Sequence, residues 1–147
     1  MSILNYTTTI AVEKTVGEIQ AMLGRAKASA VLTEYGPTGI VSAVSFRINS
    51  ANGTLSFRMP ADAQRVYQVM VRDGRVPRAK RTQEQAARVA WRIMKDWLAV
   101  QLALIQCGMV DFEQVFLPYM QFPNGQTVYE SLKEKRFTGL ALPSQAA

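Results

Sequence analysis

Arg81, Arg88, Arg92 and Lys95 follow one another at intervals of seven, four and three, which stacks four cations on one side of a helix. Such a row binds anions, and its surroundings strengthen that reading. Between Arg72 and Arg92 seven basic residues (Arg72, Arg75, Arg78, Lys80, Arg81, Arg88, Arg92) stand against two acids, Asp73 and Glu84, so this segment holds +5 of the formal net charge of +6. Charge concentrated in this way makes a local positive field, and the extended anion it suits is nucleic acid. The helix begins inside the basic stretch, so the positive end of its dipole adds to the attraction for phosphate. The other reading of the row is a solvated helix face.

A second pair of cations lies in the local repeat Ser45-Phe46-Arg47 and Ser56-Phe57-Arg58. With Asn52-Gly53 as a two-residue hairpin turn, Ala51 faces Thr54, and the pairing runs back until Arg47 stands directly opposite Arg58. Phe46, Ile48, Phe57 and Met59 then form the buried layer, and both guanidinium groups project outward beside Asn49 and Ser56. Opposed like charges cost up to about 1 kcal/mol, which a bridging anion would remove. Alternatively each arginine takes a carboxylate of its own, Glu34 on the neighbouring strand being the obvious one.

Other chemistries are poorly supplied. There is no histidine and a single cysteine, Cys107, so neither Cys/His zinc sites nor Ser-His or Cys-His nucleophiles can be built, and an internal disulfide is impossible. The eleven acids are scattered, and the close pair Asp111 and Glu113 reads as the first turn of a helix. No catalytic residue, metal or cofactor is therefore expected, with a magnesium-dependent nuclease the weakest of the competing readings. Tyr6, Tyr35 and Tyr67 could stack on bases or sit at the rim of the core.

The elements that must position these residues read as α+β over one domain, 1–147. The β-branched run Asn5 to Val12 predicts a strand, and the capping-box spacing Thr15/Glu18 predicts a helix to about Ala28. Ala30 to Tyr35, Ile40 to Asn49 and Thr54 to Met59 form an antiparallel meander, after which Pro60 opens a helix reaching Asp73-Gly74. The result is a β-α-β-β-β-α core over 5–73. Residues 74–81 read as a flexible basic linker, and 82–136 as a helical part. In that part Thr82 and Gln85 cap one long buried helix to Gln106 or Cys107, a short helix starts at Asp111 and stops at Pro118, Asn124-Gly125 turns, and Thr127/Glu130 cap a last helix to Arg136. The tail 137–147 is expected to be loosely held.

This element order, with basic residues on a hairpin and on a following helix, resembles the RAD52-like single-strand annealing proteins of phages and mobile elements. The resemblance implies a ring or filament of subunits, single-stranded DNA rather than RNA in a basic groove between sheet and helix, and no metal or nucleotide. Arg47, Arg58, Arg88 and Arg92 would be backbone contacts, with Arg72, Arg75, Arg78, Lys80, Arg81 and Lys95 enlarging the surface. Annealing needs phosphates held and bases left free, a task for arginines without catalytic residues. The competing reading is a phage or mobile-element inhibitor of a host protein, its basic segment meeting an acidic protein surface. Met1 to Ile10 lacks a basic start and an apolar stretch, and the apolar run Trp97 to Cys107 is broken by Gln101 and Gln106, so a soluble cytoplasmic protein without membrane contact is expected.

Overall fold

The computed structural model describes residues 2–143. Helix α1 (Val12–Arg25) precedes a meander of β1 (Ala30–Tyr35), β2 (Val41–Ser50) and β3 (Gly53–Pro60), followed by α2 (Ala63–Arg72), α3 (Gln83–Gln106), α4 (Phe112–Phe116) and α5 (Val128–Glu134). Short 3-10 turns at Arg78–Lys80 and Leu117–Tyr119 link the later helices. The architecture is α+β, with the sheet order β1-β2-β3 antiparallel throughout. Among the described residues no helix is long and apolar enough to cross a membrane.

One face of the sheet carries the main core. Alternation along the strands turns Val44, Phe46, Phe57 and Met59 inward, where they meet Val16, Ile19 and Leu23 of α1 and Trp91 and Leu98 of α3. Phe46 and Phe57 stack at 5.1 Å, and Phe112 and Phe116 of α4 close over them edge-on. Trp91 is buried, and its indole N–H donates to the Val41 carbonyl at 2.9 Å, tying α3 to the start of β2. A second cluster of Met70, Val76, Ala86 and Val89 holds α2 to the other side of α3. The long helix is thus covered on several sides, as its broad apolar surface requires.

Local signals in the last third fold as their spacing predicts. Asp111/Gln114 and Thr127/Glu130 both form complete capping boxes, and Gly125 takes φ 89 in the Asn124-Gly125 turn. The chain between them covers the edge of β3: Met120 pairs with Phe57, and Gln121 N–H donates to the Ser56 carbonyl at 2.7 Å. Residues 137–141 of the predicted tail fold back in turns, with Phe137 N–H on the Leu132 carbonyl, while 144–147 lie outside the described residues.

The strand predicted over Asn5 to Val12 is not formed. Asn5 adopts φ 65, which turns the chain, and the Gln85 side chain donates to the carbonyls of both Tyr6 and Thr8 at 2.9 Å. Those carbonyls are satisfied by a helix side chain instead of a neighbouring strand. The capping positions shift with it. Helix α1 starts at Val12 with Thr15 already buried inside it, and Lys27 at φ 69 with Ala28 N–H on the Leu23 carbonyl ends it at Arg25, short of Ala28. Pro60 closes β3 instead of opening α2, whose N-cap is Asp62, accepting from Arg65 N–H. At Thr82 half of the expected box is present: Thr82 accepts from Gln85 N–H, but the Gln85 side chain is committed to Tyr6 and Thr8.

Residues 74–81 are anchored and not a flexible linker. Val76 is wholly buried in the second cluster, and the Arg81 guanidinium donates to the carbonyls of Val76 (2.9 Å) and Asp73 (3.4 Å). One apolar residue in a polar stretch is enough to pin it.

Replacing Trp91 with Phe strands the buried Val41 carbonyl, so unfolding free energy should fall by about 1–3 kcal/mol, read as a lower denaturation midpoint at unchanged slope. The cap of α5 should be acid-sensitive. The Thr127 hydroxyl and backbone N–H, and then the Arg58 charge, hold the Glu130 carboxyl below its ordinary value of 4.5. Because the folded value is the lower one, the stabilisation is full above the ordinary range and is lost as pH falls through the lowered value. The protection factors of the Val128 to Ser131 amides, exchange rates corrected for the intrinsic pH dependence, should fall over that acid window in the native chain, and Glu130→Gln should abolish the fall.

Candidate nucleic-acid interface

The two hairpin arginines share one face of the sheet but do not oppose each other. Ser50 pairs with Gly53, so the turn is Ala51-Asn52. Ser50 Oγ accepts from Asn52 N–H and donates to the Gly53 carbonyl, and neither Ala51 nor Asn52 has positive φ. Serine first and glycine fourth are the preferences of a type I turn, and they prevail over the Asn-Gly signal. The register therefore moves by two: Arg47 faces Ser56, Arg58 faces Ser45, and Phe46 faces Phe57. A shift of two preserves the faces and removes the direct opposition.

Arg58 reaches over β2 to Glu34 on β1, Nε to Oε2 at 2.8 Å, so the carboxylate alternative holds for it. Arg47 is exposed and has no carboxylate partner among the described residues. Both line a cleft of about 640 Å³ between the open sheet face and the start of α5, which Glu34, Glu130, Gln121 and Ser45 also line. Two cations against two carboxylates make this cleft close to neutral. It lies on the face of the sheet away from α3, so Arg47 and Arg58 do not share a groove with the basic row of that helix.

The row itself faces α1. Arg92 Nη1 pairs with Glu18 at 2.8 Å and approaches Thr15 Oγ1 at 3.4 Å, and Lys95 Nζ lies 3.8 Å from the same carboxylate. Their side chains are 14% and 25% exposed, so both form an interhelical seam. Arg88 donates to Gln85 Oε1 at 2.9 Å, which helps orient the amide that captures the N-terminal segment.

What remains is a corner where α2 hands over to α3. Arg72 is exposed and donates to the Gln68 carbonyl of its own helix; Arg75 Nε meets Asp73 at 3.1 Å. The backbone N–H and then the guanidinium of Arg75 hold the Asp73 carboxyl below its ordinary value. Arg78 is exposed, Lys80 half-buried, and neither has a carboxylate partner among the described residues; Arg81 is committed to the two carbonyls that shape the corner. Arg65 belongs to this surface and was not anticipated: it shares the polar side of α2 with Gln68 and Arg72, at i, i+3 and i+7, and is exposed despite Asp62 at 3.3 Å. Tyr6 and Tyr67 pack against the second cluster beneath, while Tyr35 is exposed at the end of β1.

The predicted cations thus fall into three groups: a neutralised sheet cleft, an interhelical seam, and an open corner. No group of three or more His, Cys, Asp or Glu side chains among the described residues could hold a metal ion. The chain matches no protein-family model, no curated protein and no solved structure.

Glu18→Ala should leave Arg92 and Lys95 without their shared acceptor and lower stability by about 1–3 kcal/mol, measured by chemical denaturation. Arg92→Met, which removes the charge and keeps much of the volume, should recover part of that loss in the Glu18→Ala background.

Proposed function

We propose that this chain is a non-catalytic protein that binds single-stranded DNA without regard to sequence and promotes strand annealing. The observation that carries the reading is the corner between α2 and α3. Arg72, Arg78 and Lys80 stand there without carboxylate partners among the described residues, beside Arg65 and Arg75. The buried Val76 and the carbonyl-bound Arg81 fix the backbone that presents them. A pre-shaped cationic surface loses less freedom on binding than a flexible basic tail. The start of α3 adds its dipole at the same place. Point charges of this kind contact phosphates and leave base edges unread, which is what a strand awaiting its complement needs.

Fluorescence anisotropy with a labelled single-stranded oligonucleotide should show binding whose log-log salt dependence has a slope of about −3, for four or five phosphates. Arg72→Ala with Arg78→Ala should flatten that slope by about 1.4 and weaken binding alike for unrelated sequences. Complementary labelled strands should pair faster with the native chain than with the double variant. Undetectable binding at low salt, or an unchanged slope in the folded double variant, overturns the proposal.

A further inference from the structure

The fold treats the two edges of its sheet differently. The β3 edge is covered by Met120 and Gln121, whereas no strand or bridge lies beside β1 among the described residues. An open edge displays unpaired backbone N–H and C=O groups, and soluble proteins guard such edges with lysine, proline or a bulge. The β1 sequence Ala-Val-Leu-Thr-Glu-Tyr has neither lysine nor proline, and its bulge comes only at the last step, Glu34/Tyr35. Leu32, at the middle of the strand, is 63% exposed.

We infer that β1 pairs antiparallel with β1 of a second copy of this chain, about a two-fold axis at Leu32, to form one continuous six-stranded sheet. Charge decides both the occupant and the register. In this pairing Leu32 faces Leu32 of the partner subunit and Ala30 faces the partner's Glu34. Ala30 is also the neighbour of Arg47 across β1 and β2. The Arg47 guanidinium, which has no carboxylate in its own chain among the described residues, then extends over the small Ala30 side chain towards the partner's Glu34, whose Oε2 takes the Arg58 of its own chain and whose Oε1 is left to receive Arg47. Symmetry repeats the contact. Centring the axis on Thr33 instead would press Leu32 against the partner's Glu34 and leave Arg47 unmatched. With β1 paired and the β3 edge already covered, the assembly closes as a dimer instead of growing into a ring or filament.

Helix α1 supplies an independent observation. It runs beside the same edge on the core side, where Gln20 Nε2 donates to Thr33 Oγ1 at 3.2 Å. Gly17, Gln20 and Gly24 share that flank at i, i+3 and i+7. Neither glycine has positive φ, and a Cβ at either would meet nothing within 4 Å, so the packing of one chain does not require them. Glycine is disfavoured in a helix, and here its small size clears the flank for the α1 of the second copy.

Light scattering of the full chain without nucleic acid should give twice its 16.3 kDa mass. Leu32→Glu, an exposed change that sets two added carboxylates at the axis, should give a monomer with an unaltered circular dichroism spectrum. Arg47→Glu should raise the dimer dissociation constant at least tenfold. In a Cys107→Ser background, Leu32→Cys should form a covalent dimer on oxidation, and Ala30→Cys, displaced from its own copy along the strand, should not. A monomeric native chain overturns the inference, as does a dimer insensitive to Leu32→Glu or equal cross-linking at both positions. Because no oligonucleotide is present, these outcomes are separate from those of the DNA-binding proposal.

Discussion

The packing of α3 against several neighbours at once is the constraint from which the rest follows. A helix with apolar residues around most of its circumference has little surface left for solvent, so whatever polar groups it carries must be matched by the elements it meets. Trp91 shows the pattern: its ring fills the core behind the sheet, and its single N–H is spent on the Val41 carbonyl. Gln85 does the same at the N-terminal end by taking two carbonyls of a segment that has no strand partner among the described residues. Arg92 and Lys95 follow, since the face they occupy is the one against which α1 lies, and Glu18 is the matching charge.

What could be read in advance divides along the range of the interaction. The capping boxes at Asp111 and Thr127, the Asn124-Gly125 turn and the meander all rest on residues within a few positions of one another, and they fold accordingly. The hairpin register was open even locally, because Ser50 with Gly53 and Asn52 with Gly53 specify competing turns two residues apart in pairing. The N-terminal run was misleading for a different reason. Alternating threonines suit a strand, but the Tyr6 and Thr8 carbonyls are taken by the Gln85 side chain, 79 and 77 positions further on.

The site was legible as a total and not as a distribution. Composition places most of the net charge near one segment, but the fate of each cation depends on carboxylates and carbonyls remote in sequence. Arg92 finds Glu18 across 74 positions, and Arg58 finds Glu34 across a strand. Arg81 is redirected by Val76, whose burial converts an apparent linker into a fixed turn and draws the guanidinium inward. Arg65 escaped notice because it lies outside the dense basic stretch, although its spacing from Arg72 on one helix was visible.

The separation of these groups has a mechanical consequence. The open edge belongs to β1, which packs chiefly on β2, while the basic corner belongs to α2 and α3. The proposed joining of two chains through β1 would therefore leave both corners exposed and fix them in one rigid body. Each corner alone offers only a few cations, and a few phosphate contacts hold a strand weakly at physiological salt. Two corners in a fixed arrangement make the second contact intramolecular, which raises apparent affinity for a strand long enough to span them without adding a residue to either site. For strands too short to bridge, the proposed dimer would hold two separate molecules side by side, the arrangement in which complementary sequences can test one another. On the proposed function, strand length relative to the spacing of the corners would then decide between tight single-strand binding and annealing.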